Sequence, residues 1–490
     1  MKSLSGDYRA NVALIESMLR YKESFDILEK RLKVGDGECA FFYVDGFVKD
    51  GELQRVMQYL LSKKELGSAS ETESLIPYAE VGKTESAEDI TVAVLSGQTV
   101  LLSDSFGAEA IILDLRTYPA RQTSEPEGDR VMQGARDGFV ETLIMNTALL
   151  RRRVRDPRLV MKHFDMGGAS HTDVVVSYIE GLSDPKKVNA ILKRLSEAKP
   201  RSLTLGEESL AEILVGRGWL NPFPKIRTTE RPDTASSEIL EGKILVFCDT
   251  SPEVMILPTS IFDFCEEADD YCFPPLTGTY LRILRIAVLL FSIVATPIWY
   301  LAVENGEALP DFLKFLIPDD PGTLPLILQL FLGELALDAL KLASMNTPNM
   351  LSNSLSVVGA LILGDFAVEV GWFSTDVVFY MACVAIANFA QQSQQLGYAF
   401  KFSRLINLAL VYFLGGAGLI VGGIIFIILV ATNPTAANIG GYLYPLVPFD
   451  GKVILKHLVR FGKSDFNKSG VSKSGFGQSG LSSSKKRADR

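Results

Sequence analysis

The sequence of 490 residues contains only five cysteines and three histidines, and this scarcity argues against two kinds of site. The cysteines are odd in number and widely scattered, and they form no CxxC pair, so we expect neither a disulfide framework nor a zinc site. The histidines His163, His171 and His457 have no further ligand types at metal-binding spacing. We therefore expect no metal, no cofactor and plain structural thiols.

Sequence motifs that carry catalysis are also lacking. The chain has no Walker A phosphate loop, no GxSxG turn and no HExxH helix. The glycine-rich stretch Gly167–His171 has no following helix or lysine and is interpreted as a turn. We expect a protein that is not an enzyme and that has no nucleic-acid partner.

The first 275 residues contain no membrane-length apolar run, and their first 51 residues carry charge throughout, so no signal peptide is expected. Between Leu281 and Thr432, by contrast, apolar runs approach the length of about 20 residues that spans a bilayer. The expected fold is an α/β soluble amino-terminal region of two similar subdomains, followed by an α-helical transmembrane bundle and a disordered basic tail. The expected bounds are 1–135, 136–275, 276–450 and 451–490.

Hydrophobic periodicity predicts the elements of the soluble region. Helical spacing extends over Asn11–Leu32, and Cys39–Asp45 is predicted to be a buried strand. Strands at Ile90–Leu95 and Thr99–Ser103 are predicted to form a hairpin around Gly97. The polar stretch Thr228–Ser237 is predicted to be a loop.

A second copy of one pattern lies 145 residues further along the chain. Ile239–Asp249 corresponds to Val94–Asp104, with the turn glycine, the hydrophobic run and the final aspartate at equal offsets. Two subdomains of similar plan follow from this repeat, split near a helix predicted at Arg136–Val154. The alternative is coincidence, since hairpins resemble one another.

The membrane half contains five apolar segments: Leu281–Val303, Leu326–Ala343, Leu355–Phe373, Val377–Phe389 and Leu405–Thr432. Residues 452–490 contain ten Lys or Arg against two Asp. Five crossings would separate this tail from the amino-terminal region, against the positive-inside tendency, so we expect an even number, with both on the cytoplasmic or core side. Either Leu326–Ala343 is half-spanning or re-entrant, or the glycine-rich segment Leu405–Thr432 bends.

Carboxylates interrupt these apolar segments, although an unpaired charge there costs about 2.5 to 3.5 kcal/mol on insertion scales. They are Glu334, Asp338, Asp365 and Glu369. In a homo-oligomer Asp365 and Glu369, four residues apart, would form acidic rings that favour monovalent cations. The alternative, favoured for Glu369, places them at the membrane surface near Trp372.

Small and bulky apolar residues precede Asp365. Gly359 and Gly364 allow close helix packing, whereas Val358, Leu361 and Ile362 could form a hydrophobic gate that excludes water. This combination predicts a pore-lining segment.

An arginine-rich block provides the strongest local motif of the soluble region. It comprises Arg136, Glu141, Asn146, Arg151, Arg152, Arg153, Arg155 and Asp156. Guanidinium groups bind carboxylates and anionic head groups through paired donors, so the block predicts an interface to another subunit or to membrane lipid. The alternative is a solvated helix end, since cations favour helix C-termini.

This block resembles the GerA family of spore germination receptor A subunits, which carry similar Gly-x-Arg-x-Gly-Phe-x-Glu, Asn-Thr and Arg-Arg-Arg-x-Arg-Asp-Pro sequences. The similarity extends to Val44-Asp45-Gly46, Phe273-Pro-Pro275 and Pro445-Leu-Val-Pro448. The resemblance implies a subunit of the spore inner membrane that works with other germination proteins and forms or regulates an oligomeric ion channel. The alternative is a non-conducting scaffold for proteins of germination or dipicolinic acid release.

Overall fold

The computed structural model describes residues 2–118, 134–216, 221–267, 269–345, 367–391 and 393–460. Within these ranges ten strands form two sheets, and a helical part begins at Pro275. The strands are β1 (Ile27–Val34), β2 (Gly37–Val44), β3 (Val81–Thr84), β4 (Thr99–Ser103), β5 (Ala110–Leu113), β6 (Leu159–Met166), β7 (Thr172–Ile179), β8 (Arg227–Thr229), β9 (Ile244–Cys248) and β10 (Val254–Leu257).

The helices fall into two groups. Those of the α/β region are α1 (Tyr8–Leu19), α2 (Asp50–Leu61), α3 (Ala69–Leu75), α4 (Ala87–Leu95), α5 (Leu143–Arg153), α6 (Pro185–Glu197), α7 (Glu207–Val215), α8 (Pro232–Leu240) and α9 (Asp269–Cys272). Those of the helical part are α10 (Pro275–Glu304), α11 (Leu326–Met345), α12 (Ala367–Glu369), α13 (Thr375–Phe389), α14 (Gln394–Leu414), α15 (Gly416–Ala431) and α16 (Gly451–Leu458).

The two sheets have the same topology. The first has the order β1-β2-β4-β5-β3 and the second β6-β7-β9-β10-β8, and every neighbouring pair is antiparallel. Each begins with a long hairpin, in which Ile27 lies opposite Val44 and Leu159 opposite Ile179. The α/β region therefore contains two units of one plan.

Both faces of each sheet are covered by helices, because successive side chains of a strand point to opposite faces. In β2, Phe42 packs in the core of α1 and α4, whereas Phe41 packs in the core of α2 and α3. In β7, Val176 faces α6 and α7, and Val175 faces α5 and α8. The helices that cover the two sheets therefore occur in the same order along the chain in both units, as the strands do.

Three predicted elements are wrong, and a fourth begins later than predicted. Ile90–Leu95 belongs to helix α4, which Ser86 caps by accepting from the amide of Asp89, so it does not form a hairpin with β4. The helix predicted at Asn11–Leu32 ends at Leu19, and strand β1 begins at Ile27 within the predicted helix. Thr228–Ser237, predicted to be a loop, contains the end of β8 and most of α8. The helix predicted at Arg136–Val154 begins only at Leu143.

Helix α10 has 30 residues and is the single helix in the described ranges that is long and apolar enough to cross a membrane. Helices α13 and α15 are apolar but shorter. The chain turns back at Gly415, whose φ is 58°, and α15 then packs against α14 with Gly418 at Leu410 and Gly422 at Asn407. The predicted segment Leu405–Thr432 therefore bends.

The helical part shares contacts with the second sheet unit. Asn433 Nδ2 donates to the Pro224 carbonyl at 3.1 Å, and Asn221 Nδ2 donates to the Leu429 carbonyl at 2.6 Å. Ile439 lies in the core formed by α6 and α7. The segment that follows α15 is thus packed on the α/β region.

Candidate functional site

The arginine block lies between the two sheet units. Arg151 on α5 is fully buried, and its Nε donates to Asp26 Oδ2 at 2.8 Å. Its Nη2 donates to Asp26 Oδ1 at 3.1 Å and to Ser24 Oγ at 3.2 Å. Because Asp26 precedes β1, this bidentate pair joins the second unit to the first.

Two exposed arginines of the block also contact the first sheet unit. The Arg152 guanidinium lies 4.4 Å from the ring centroid of Tyr118, and Arg155 Nη1 donates to Ser96 Oγ at 3.3 Å. Arg153 instead pairs with Asp137 at 2.6 Å. For Arg151 the predicted contact with another subunit or with lipid is wrong, because its guanidinium is buried within the chain. For the exposed Arg152 and Arg155 it stays a prediction.

Of the remaining members of the block, Asn146 and Asp156 form local hydrogen bonds, whereas two others are exposed. Asn146 is buried; its Oδ1 accepts from the Val140 amide at 2.8 Å, and its Nδ2 donates to the carbonyl of the same residue. Asp156 accepts from Arg158, and this pairing holds the pKa of the carboxyl below its usual range although burial acts to raise it. Arg136 and Glu141 are exposed.

A buried ionic network lies at the centre of the helical part. Arg404 on α14 donates from Nε to Glu334 Oε1 on α11 at 2.7 Å and from Nη1 to the Ser292 carbonyl on α10 at 2.8 Å. Lys401 Nζ donates to the Glu334 carbonyl at 3.0 Å and pairs with Asp338. Glu334, Lys401 and Arg404 are buried. The network joins three helices with two charges of each sign.

Glu334 and Asp338 are recognisable in the sequence as charges within an apolar segment, but their partners Lys401 and Arg404 were not predicted. Lys401 and Arg404 lie three residues apart on one helix face. They directly precede the predicted apolar segment Leu405–Thr432. A helix start at Ser393, which accepts from the Leu396 amide as an N-cap, would have included both cations. That capping serine was the signal in the sequence.

The proposed pore segment lies mostly outside the described residues. Val358, Leu361, Ile362 and Asp365 fall within 346–366, which are not described. Glu369 is described and is exposed at the end of α12, three residues before Trp372. The assignment of these five residues to a pore stays a prediction.

A third cluster lies where the α/β region meets α10. Arg282 Nε donates to Asp270 Oδ2 at 3.0 Å, and Arg285 Nη2 donates to Glu267 Oε2 at 2.6 Å. Both arginines and Asp270 are buried. Arg282 and Arg285 therefore fasten α10 to the segment before it.

A cleft of about 910 Å³ opens between the second sheet unit and the start of α14. Carboxylates outnumber cations in its lining, and burial together with Glu207 and Glu253 raises the pKa of Glu208. Within the described ranges no group of three or more His, Cys, Asp or Glu side chains is placed to hold a metal ion.

The fold and these clusters define a two-sheet α/β region joined to a helical part, in whose described residues one helix, α10, has membrane length. The family model described as "Bacillus/Clostridium GerA spore germination protein" matches residues 14–469. The chain therefore belongs to the GerA family of spore germination proteins.

Individual relatives agree with this assignment. The chain is 36% identical over 445 residues to stage V sporulation protein AF of Bacillus subtilis (strain 168), covering 90% of each chain. It is 26% identical over 470 residues to spore germination protein KA of the same organism, covering 93% of this chain and 85% of that one.

One solved structure is similar to the amino-terminal half. It is the N-terminal domain of the A subunit of the Bacillus megaterium spore germinant receptor GerK3, at 25% identity and a TM-score of 0.40. The match covers 52% of this chain and 96% of that one.

Proposed function

We propose that the chain is a multi-pass subunit of a germination complex in the spore inner membrane, where it forms or regulates an oligomeric ion channel. Family membership supports the germination role. The membrane-length helix α10 supports the membrane location. Its partners are further copies of itself, other germination proteins and membrane lipid.

The observation that carries the channel proposal is the buried network of Glu334, Lys401 and Arg404. Charged side chains in the interior of a helical membrane protein have a high free-energy cost unless they are paired. Buried charged side chains such as these three commonly mark ion paths. Here they join α10, α11 and α14 to one another. The apolar segment Leu355–Phe373, which follows α11 in sequence and carries Asp365 and Glu369, is the proposed pore lining.

Reconstitution of the purified chain into liposomes tests the proposal, with monovalent-cation flux and dipicolinate flux measured separately. Flux that Arg404→Gln changes and that the exposed-site control Arg55→Gln, in the α/β region, leaves intact supports a channel built on the network. Absence of flux, with or without candidate germination proteins, supports the scaffold alternative instead.

A further inference from the structure

Helix α16 and the short segment before it expose large apolar side chains. Val447 and Phe449 precede the helix and are 63% and 77% exposed, and Leu455 within the helix is 50% exposed. Lys452, in the first turn of the helix, is exposed as well. Exposed apolar side chains concentrated in one segment, with a cation among them, are typical of a surface that contacts a membrane or another protein.

Polar contacts hold this segment beside the first turns of α10. The Arg460 amide donates to Thr279 Oγ1 at 3.1 Å, and Arg460 Nη2 donates to the Tyr271 carbonyl at 2.7 Å. Arg282 Nη1 donates to the His457 carbonyl at 3.4 Å. The carboxy-terminal end of α16 therefore lies against the amino-terminal part of the membrane-length helix.

The length of α10 places these first turns at the membrane surface. A helix of 30 residues is about 45 Å long, whereas a hydrocarbon core of about 30 Å needs only about 20 residues. Counted back from Val303, the last apolar residue before Glu304, about 20 residues reach Leu284. Residues 275–283 then lie among the lipid head groups, with α16 beside them.

One exposed face of α10 extends from the membrane-length part into this region. Leu276, Tyr280, Ile283, Leu290 and Val294 recur at helical intervals, and all five are exposed. Tyrosine is enriched at membrane–water interfaces, because its ring is apolar and its hydroxyl is polar. The exposed side chains of α16 are therefore added beside the amino-terminal end of a face that α10 presents to lipid.

On the basis of the membrane location given above, we propose that residues 446–458 form an interfacial anchor that binds the head-group region of the bilayer. Phe449 and Leu455 insert at the boundary of head groups and acyl chains, and Lys452 lies at the lipid phosphates. Continuity with the exposed face of α10 favours lipid over a protein as the occupant. A second copy of the chain or another protein would cover the same side chains without lipid contact.

Fluorescence quenching by spin-labelled lipid tests the anchor in the full chain. In protein without its native cysteines, a fluorophore is attached at Phe449→Cys or Leu455→Cys, and the protein is reconstituted into nanodiscs of phosphatidylcholine and phosphatidylglycerol. A nitroxide near the head group should quench both labels at least about twofold more than one near the end of the acyl chain, because an interfacial helix lies only about 5 to 10 Å deep. Val294→Cys, in the middle of the apolar part of α10, should show the reverse order. Val92→Cys, 61% exposed on α4, should be quenched by neither lipid.

The controls separate failure of the anchor from failure of the membrane location. If Val294→Cys is quenched but the labels at positions 449 and 455 behave like Val92→Cys, the anchor is refuted and the membrane location stands. If Val294→Cys is not quenched, both fail together. Labels that are shielded from aqueous iodide but not quenched by lipid would identify a protein as the occupant and also overturn the proposal. Phe449 and Leu455 are exposed within the chain, so labelling should preserve the fold, and either position alone is sufficient for the test.

Discussion

At the scale of residues, buried guanidinium–carboxylate pairs connect separate parts of the described structure. Arg151 with Asp26 joins the two sheet units, and Arg404 with Glu334 joins helices of the helical part. All four side chains are at most 5% exposed. A pair of this kind adds little net stability, but the loss of one partner leaves the other charge buried and unpaired.

The first prediction concerns Arg151. Arg151→Met should lower the free energy of unfolding by about 3 to 5 kcal/mol, because Asp26 then stays buried without its cation. Denaturant unfolding of the full chain in detergent measures the loss. The control Arg152→Met removes only an exposed cation from the face of Tyr118 and should cost about 0.5 to 1 kcal/mol. Equal losses in the two variants would contradict a special role for the buried pair.

At the scale of elements, alternating and continuous apolar runs predicted β2 and β4 correctly, but helix α4 was predicted as a strand and helix α8 as a loop. Five of the six residues of Ile90–Leu95 are buried, so the run shows no helical stripe and resembles a core strand. For α8, Pro232 at the first position was the available signal, since proline suits a helix start as well as a loop. The equal offset of Val94–Asp104 and Ile239–Asp249 nevertheless located equivalent elements, α4 with β4 and α8 with β9.

The interaction partners of the charged residues could not be predicted, because they lie far away in the sequence. Hydropathy marks Glu334 as an unusual charge, but nothing near it in sequence identifies Arg404, which lies 70 residues away. Likewise, the arginine run indicates an interface, whereas its partners Asp26 and Tyr118 become apparent only when the two sheets are assembled.

The second prediction concerns the hairpin of α14 and α15. A Cβ at Gly418 would lie 2.1 Å from the Leu410 carbonyl oxygen, a backbone atom that cannot turn aside. Gly418→Ala should therefore separate the two helices and lower stability by about 1 to 3 kcal/mol, as overpacking does. Thermal unfolding in detergent measures it. Gly423→Ala, whose Cβ meets no atom within 4 Å, is the control, and an equal change there would argue against tight packing at Gly418.

At the scale of the whole molecule, a continuous series of contacts links the first sheet to the helical part. Arg151 joins the first unit to the second, and Ile439 with Asn433 joins the second unit to the segment after α15. Arg282 and Asp270 then attach that region to α10. A displacement of either sheet unit is therefore expected to reach the membrane-length helix.

The third prediction concerns sidedness. The amino-terminal region and the basic tail should lie on the same cytoplasmic or core side, because positively charged segments favour that side. In a chain without its native cysteines, Ala10→Cys and Gly480→Cys should resist an impermeant thiol reagent in intact cells. Glu307→Cys, in the acidic loop beyond α10, is the positive control and should react. Labelling at position 10 or 480 would refute the shared location.

The last prediction concerns the ion path, in a protein shown by the liposome assay to conduct. If the segment Leu355–Phe373 lines the axis of the oligomer, Leu361→Ala should increase leak, because a hydrophobic gate closes by excluding water and a smaller side chain admits it. Asp365→Asn should instead reduce the preference for cations without opening the gate, since it removes charge but keeps size. Flux and reversal potential of proteoliposomes distinguish the two effects. Unchanged leak and selectivity in both variants would place the path elsewhere, with Glu334 and Asp338 on α11 the next residues to examine.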